Sequence, residues 1–177
     1  MAKLFLLATA AFMPLFFCSR SVEFPRMDYT TDINRKLPDW ECHQVFAFCK
    51  DSLTGRSFLE VTAFPKKKYP GIVLPWLEGG WDKFASFHII ARVSGARDSV
   101  SFYLSIWDGN APYSVDNRFE KKFMVRGQWT DCAVSLKEGF VTPSGRAIDK
   151  KDIRQVVFFT SHRADPVVFD VASIALR

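Results

Sequence analysis

Aromatic and charged side chains that could recognise a ligand are concentrated in residues 100–123, VSFYLSIWDGNAPYSVDNRFEKKF. The stretch begins with strict alternation, which is typical of a half-buried strand. One parity is apolar, and the other carries two large rings, Tyr103 and Trp107. Because such rings combine an apolar body with a polar edge or tip, this parity predicts a surface that stacks on sugar rings. The candidate binding residues are Tyr103, Trp107, Asp108, Tyr113, Asp116 and Arg118.

Each candidate also has a purely structural interpretation, and the sequence leaves both open. Tyr103 and Trp107 can be covered by another segment of the chain. Asp108 can cap the turn that follows it, since Asp side chains hydrogen-bond the backbone two residues on. Asp116 and Arg118 can form a surface ion pair, which contributes little to stability.

Short strands must position these residues. From Trp40 onward, apolar runs with a period of two are separated by turn residues. The segment 149–154 is predicted to form one short helical turn. Many short strands separated by such turn residues predict an all-β sandwich or barrel. The predicted strands are residues 42–50, 57–64, 71–77, 84–93, 100–107, 118–125, 129–136, 154–161 and 167–176.

Composition and charge exclude some classes of protein. The 177 residues are 48% hydrophobic and 15% aromatic, with 18 Phe, which is too apolar for a disordered chain. The net charge is +5, but Lys and Arg are scattered in short groups beside strands and turns. Since no basic helix or repeated basic motif is present, a nucleic-acid partner is not predicted.

A hydrophobic leader occupies residues 1–21, MAKLFLLATAAFMPLFFCSRS. Lys3 supplies a positive start, and the apolar run 4–17 is shorter than the roughly 20 residues that span a membrane. These features predict a secretory signal peptide. The alternatives are an uncleaved membrane anchor, a lipid anchor at Cys18, and a buried segment of a cytosolic protein.

The leader predicts an exported protein that is secreted, periplasmic or attached to the cell surface. Residues 22–39 are polar, contain two prolines, and are interpreted as a linker or N-terminal arm. Residues 40–177 are predicted to form the β-sandwich domain. Cys42, Cys49 and Cys132 follow the leader and do not match a zinc pattern, so mostly buried free thiols are expected.

Enzymatic activity is not predicted. The three histidines are His43, His88 and His162. No local motif places Ser or Cys beside a His–acid pair, and no two histidines have the spacing of metal ligands. Paired carboxylates for glycoside cleavage could meet in space, but nothing in the sequence points to them.

The order of several motifs resembles a known family. These motifs are KYPGIVLPWLEGGWDKFASFHIIARV, SFYLSIWDG, YSVDNRFEKKF, GQWTDCAVSL, GRAIDKKDIRQVVFF and VVFDVASIAL. Together they resemble the galactose-binding-like β-sandwich domains found as carbohydrate-binding modules. The similarity is greatest to the domain that follows the membrane helices of some VanZ-like bacterial proteins. It extends more distantly to the domain of complex I intermediate-associated protein 30, and it covers roughly residues 40–177.

The resemblance implies a galactose-binding-like jelly-roll β-sandwich and two alternative functions. The first is a non-catalytic carbohydrate-binding module whose partner is a glycan or polysaccharide. The second is a protein-interaction or scaffold domain of a membrane-associated or assembly complex. Independently of the resemblance, the N-terminal segment offers a means of membrane attachment.

The resemblance also implies a structural Ca²⁺, for which Asp170 is the candidate ligand. The related domains usually carry this acid at the position of Ala172, and strand parity would place Asp170 on the same face. Calcium prefers six to eight oxygen ligands, and the sequence does not assemble that set. No other cofactor is predicted.

Overall fold

The computed structural model describes residues 22–23, 44–50, 52, 57–65, 69–74, 80–95, 97–161 and 164–177. Every strand predicted from the alternation is present, which confirms the all-β jelly-roll sandwich. The strands are β1 (Val22–Glu23), β2 (Gln44–Lys50), β3 (Ser57–Ala63), β4 (Gly71–Val73), β5 (Ser86–Val93), β6 (Ser99–Trp107), β7 (Phe119–Arg126), β8 (Thr130–Ser135), β9 (Gln155–Thr160) and β10 (Val167–Leu176).

Helical structure in the described residues is limited to two short 3₁₀ turns, Trp81–Lys83 and Val115–Asn117. The helical turn predicted at 149–154 is wrong, since this segment forms a turn and then extends into β9. No helix within the described ranges has the length and apolar character needed to cross a membrane. The predicted leader lies outside the described residues, and of the predicted arm only β1 is described.

The strands form two antiparallel sheets. The larger sheet has the order β2-β3-β10-β5-β8, and the smaller has the order β4-β9-β6-β7. β10 is the longest strand and has two partners along one edge, because β3 pairs with its first half and β1 with its last two residues. The segment predicted as a loose arm therefore begins as a strand of the larger sheet.

The core lies between the sheets and is rich in Phe, as the composition predicts. Phe102 of β6 stacks on Phe158 of β9, with 4.8 Å between ring centroids and 12° between planes. Phe169 of β10 meets Phe102 edge-on at 4.8 Å, which ties the smaller sheet to the larger. Trp81, only 1% exposed, stacks on Phe87 at 5.0 Å and closes one end of this core.

A β-bulge at Ala172 changes which residues of β10 face the core. Before the bulge, Phe169 and Val171 are buried; after it, Ile174 packs on the core and Leu176 is buried. The inserted residue shifts the alternation by one position. Simple parity therefore fails across the last strand, although its bounds were predicted correctly.

Candidate ligand-binding site

The outer face of the smaller sheet carries the β6 side chains that alternate with those buried in the core. Strand register fixes which side chains are neighbours there. One row across the face comprises Gly71, Phe159, Tyr103 and Lys122, and the next comprises Val73, Val157, Ser105 and Glu120. We call this surface the aromatic face.

Two rings form the centre of the aromatic face. Tyr103 stacks on Phe159 across the β6–β9 pair, with 5.5 Å between centroids and 21° between planes. Tyr69, from the segment before β4, meets Phe159 edge-on at 5.0 Å. Phe159 and Tyr69 are each 7% exposed, whereas Tyr103 is only half-buried and remains accessible.

Arg118 lies buried beneath this cluster and fixes its rings. Its Nη1 donates hydrogen bonds to the hydroxyl oxygens of Tyr69 at 2.9 Å and Tyr113 at 3.0 Å. Its Nε and Nη2 donate to Oε2 of Glu120 at 3.1 and 2.6 Å. The guanidinium carbon also lies 5.0 Å from the ring centre of Tyr69. One guanidinium thus joins β7 to two tyrosines from different loops.

Burial and hydrogen bonding set the protonation states in this cluster. Burial alone would lower the pKa of Arg118, but the hydrogen bond to Tyr69 and the nearby charges raise it above its ordinary value. Burial raises the pKa of Tyr113 to about 12, despite the opposing charge of Arg118. Tyr113 is therefore a neutral hydroxyl at physiological pH, and Arg118 is a permanent cation.

The loop after β6 folds Tyr113 back onto Trp107. The two rings meet at 90° with 5.6 Å between centroids. The indole N–H of Trp107 donates to the carbonyl oxygen of Ala111 at 2.9 Å, so its polar edge is used within the loop. Both rings are half-buried. The ring surface of Trp107, and not its N–H, is what this site can offer a ligand.

Asp108 holds this loop in place instead of facing a ligand. Its carboxylate is fully buried and forms a bidentate ion pair with Arg146, at 2.5 and 2.9 Å. The backbone N–H groups of Asp149 and Asn110 donate to it at 2.7 and 3.3 Å. Burial would raise the pKa of Asp108, but these hydrogen bonds outweigh burial and hold the pKa below its usual range. We call this arrangement the Asp108 clamp.

The structure therefore divides the predicted binding residues into three groups. Tyr103, Trp107, Tyr113 and Arg118 come together at the aromatic face, with Arg118 buried beneath it. Asp108 forms the clamp, which fits its structural interpretation. Asp116 lies exposed in the 3₁₀ turn 115–117, where its backbone carbonyl accepts a hydrogen bond from the Ser144 hydroxyl at 3.2 Å. A ligand role for any of them stays a prediction.

Sequence reasoning missed Tyr69, Phe159, Glu120 and Lys122. A signal existed for Phe159, because the run VVFF in β9 is apolar on both parities. A strand of that kind is covered on both faces. The side chains on its outward face therefore had to pack against residues outside the core. Tyr69 carries no such signal, since it reaches the face from a loop.

Asp170 does not fit the calcium site that the resemblance implies. Asp170 is buried on the outer side of the larger sheet, where Nε of Arg92 donates to its Oδ2 at 2.7 Å. A guanidinium at that distance repels a cation. Within the described part of the chain, no group of three or more His, Cys, Asp or Glu residues is placed to hold a metal ion.

Trp129 covers this ion pair from the β7–β8 turn. The guanidinium carbon of Arg92 lies 4.4 Å from the ring centre of Trp129 and 5.2 Å from that of Phe58. Trp129 remains 40% exposed. Trp129 therefore packs across the outer side of the larger sheet. Trp40 and Trp76 lie outside the described residues.

A Ser–His–Asp chain on the larger sheet was not foreseen. Nδ1 of His88 lies 2.9 Å from Oδ1 of Asp131, and Nε2 of His88 lies 2.8 Å from Oγ of Ser86. This connectivity is that of a serine hydrolase, but such enzymes also need N–H donors for the oxyanion. The backbone N–H groups of Ser86 and Ala85 both donate to the carbonyl oxygen of Arg177. We therefore interpret this Ser86–His88–Asp131 hydrogen-bond network as a polar contact between β5 and β8.

The described thiols are Cys49 and Cys132, and both are free. Cys132 is completely buried, and burial raises its pKa to about 12, so its reactive thiolate form is scarce. Cys49 is half-buried on β2. The expectation of free thiols is confirmed for these two, while Cys18 and Cys42 lie outside the described residues.

The sequence matches no protein-family profile and no curated protein, but its fold matches solved structures. An exo-beta-agarase superposes with a TM-score of 0.57 and 14% identity, over 88% of this chain and 24% of the agarase. A family 11 carbohydrate-binding module from Clostridium thermocellum, in complex with a beta-1,3-1,4-mixed-linked tetrasaccharide, gives 0.52 and 15%, over 76% of this chain and 82% of the module. A CBM22-1 xylan-binding domain from Paenibacillus barcinonensis gives 0.50 and 8%, over 76% and 80%.

These similarities define the class of fold. The chain has the jelly-roll β-sandwich of carbohydrate-binding modules, and it spans about four fifths of the modules but only 24% of the agarase. At these identities the likeness concerns the fold alone. It agrees with the resemblance in the sequence as far as the carbohydrate-binding-module-like domain is concerned.

Proposed function

We propose that the protein is a non-catalytic carbohydrate-binding module that binds a glycan on the aromatic face. The observation that carries the proposal is the half-buried Tyr103, which is stacked on Phe159 and held within a cluster that Arg118 fixes from below. A pre-positioned ring binds without losing much side-chain entropy. The fold supports the proposal, because solved modules that share it bind a tetrasaccharide and xylan.

The geometry gives no comparable support for catalysis. Glu120 on the aromatic face forms an ion pair with Arg118, and Asp108 at the end of β6 forms one with Arg146. A glycosidase needs one carboxylic acid that donates a proton and a second carboxylate that acts as base or nucleophile. Glu120 and Asp108 instead accept N–H hydrogen bonds from the guanidinium groups of Arg118 and Arg146, so we propose binding without turnover.

A protein-interaction domain is the alternative function. The more distant kinship, to the domain of complex I intermediate-associated protein 30, favours this alternative. That kinship and the kinship to VanZ-associated domains both remain proposals. Docking surfaces for proteins expose contiguous apolar patches of several hundred Å². The exposed large apolar residues of the described part are spread over four separate elements: Val115, Met124, Trp129 and Val141. Their dispersion favours the glycan.

We also propose that the module acts outside the cytoplasm, on the basis of the hydrophobic leader at residues 1–21. The leader would either be removed during export or hold the domain at a membrane. N-terminal sequencing of exported material, made from the full chain, distinguishes the two. An intact leader on a cytosolic product would contradict export.

Tyr103→Ala tests the binding proposal. We expect at least about a tenfold loss of affinity for a bound polysaccharide, since a central aromatic contact is commonly worth more than 1.4 kcal/mol. Tyr103→Phe, which keeps the ring, should retain most of the affinity, and Trp129→Phe on the opposite sheet serves as the control. A glycan array followed by affinity electrophoresis measures the effect. Unchanged binding by a folded Tyr103→Ala variant would exclude the aromatic face.

A further inference from the structure

The charges on the aromatic face are unbalanced. Four residues of β7 point to this face, namely Glu120, Lys122, Met124 and Arg126. Lys122 and Arg126 are exposed, and no ion pair between described residues includes either of them. Glu120 is engaged with Arg118. The edge of the face formed by β7 therefore presents two cations whose charge the described surroundings do not neutralise.

Carboxylates are otherwise missing from the strands of the aromatic face. The outward residues of β4, β6 and β9 are Gly71, Val73, Ser99, Ser101, Tyr103, Ser105, Trp107, Gln155, Val157 and Phe159. None of them is acidic, so Glu120 is the one carboxylate on the described strands of this face. Free carboxylates accept hydrogen bonds readily from sugar hydroxyls, and the described strands of this face offer none.

The cations are placed where a stacked sugar would reach them. Lys122 is directly opposite Tyr103 in the β6–β7 pair, and Arg126 is opposite Ser99. Lys122 and Arg126 are four positions apart, which corresponds to roughly 13 Å along an extended strand. A chain of sugars that stacks on Tyr103 and runs along β6 would pass both cations in succession.

We propose that the ligand is an anionic polysaccharide, whose carboxylate or sulfate groups pair with Lys122 and Arg126 while a sugar ring stacks on Tyr103. This inference rests on the proposed glycan-binding function and names the substrate class of the same face. A single-stranded nucleic acid is also anionic and can stack on aromatic rings. The sandwich fold shared with carbohydrate-binding modules favours the polysaccharide.

The test compares five probes with the full-length protein. Polygalacturonate supplies carboxylate, carrageenan supplies sulfate, laminarin and xylan are neutral chains, and a single-stranded oligonucleotide is the competing anion. We expect one anionic probe to bind at least about tenfold tighter than either neutral probe at low salt. The advantage should shrink as salt rises, because screening weakens exposed charge pairs. Whichever anionic probe binds more tightly identifies the charged group.

Matched variants separate the possible results. Lys122→Gln with Arg126→Gln should lower binding of the anionic probe about tenfold, and Lys137→Gln, an exposed lysine beyond β8, should not change it. Equal binding of neutral and anionic probes would overturn this inference and leave the glycan-binding function standing. Binding of the anionic probe that is unchanged in the Lys122→Gln, Arg126→Gln double variant would have the same consequence. Absence of any polysaccharide binding, or tighter binding of single-stranded nucleic acid, would overturn both.

Discussion

Replacing Asp108 with Asn removes a buried charge and leaves the size of the side chain almost unchanged. The Asp108 clamp has four hydrogen bonds, two from Arg146 and two from backbone N–H groups. An Asn amide would turn one acceptor position into a donor that faces other donors. It would also leave the Arg146 guanidinium without its counter-charge.

The expected cost follows from the burial of the pair. Breaking a buried ion pair by removing one partner destabilises a protein by about 3–5 kcal/mol. Because Arg146 is partly exposed, with 31% of its side chain accessible, we expect the lower end, about 3 kcal/mol. For a chain of this length that free energy corresponds to a decrease in Tm of about 6–12 °C.

The effect should depend on pH in one direction. The folded-state pKa of Asp108 is below its ordinary value, so the clamp contributes its full stability above the unfolded pKa of about 3.9. That contribution is lost as the pH falls through the folded-state pKa, where the wild-type carboxylate is protonated. The difference in unfolding free energy between wild type and Asp108→Asn should therefore be constant near pH 7 and diminish below about pH 4.

Urea denaturation followed by tryptophan fluorescence at a series of pH values measures this difference. Asp116→Asn, which changes an exposed acid of the same loop, is the control and should stay within about 0.5 kcal/mol of wild type. Equal stability of wild type and Asp108→Asn at pH 7 would refute the clamp as a stabilising element. A difference that persisted unchanged at low pH would refute its electrostatic origin.

Two further substitutions test the packing of the sandwich by thermal unfolding. Gly71→Ala should destabilise the protein by about 2–3 kcal/mol, because a Cβ there collides with the carbonyl oxygen of Phe158. Gly127→Ala is the control and should be close to neutral, since the nearest atom to a Cβ there is 4.0 Å away. Equal effects of the two substitutions would contradict the collision. Trp129→Ala should cost about 2–3 kcal/mol, since it uncovers Arg92 and removes a half-exposed ring, whereas Trp129→Phe should cost less than half of that. An Ala variant as stable as wild type would show that the ring is not part of the packing.

The strands were predictable because their apolar residues alternate within short distances along the chain. The same rule located Tyr103 and Trp107 on the outward parity of β6, where the structure places them. It failed at Ala172, since an inserted bulge residue leaves no trace in the pattern of hydrophobicity.

Contacts between distant residues could not be predicted. Asp108 and Arg146 are 38 positions apart, and the two loops that hold them are brought together only by the completed sandwich. The interpretation of Asp108 as a binding residue required that its side chain be exposed, and exposure cannot be read from a sequence. In the same way, Arg118 finds Tyr69 across 49 positions, so the support beneath the aromatic face became visible only in three dimensions.

The pairing of β1 with the end of β10 has a consequence for how the protein would be presented at a surface. β1 belongs to the larger sheet, and the aromatic face is on the far side of the smaller one. A chain tethered through its first residues would therefore be attached at the larger sheet, on the side of the sandwich opposite the aromatic face. The aromatic face of a protein tethered in this way would be directed away from the attachment point.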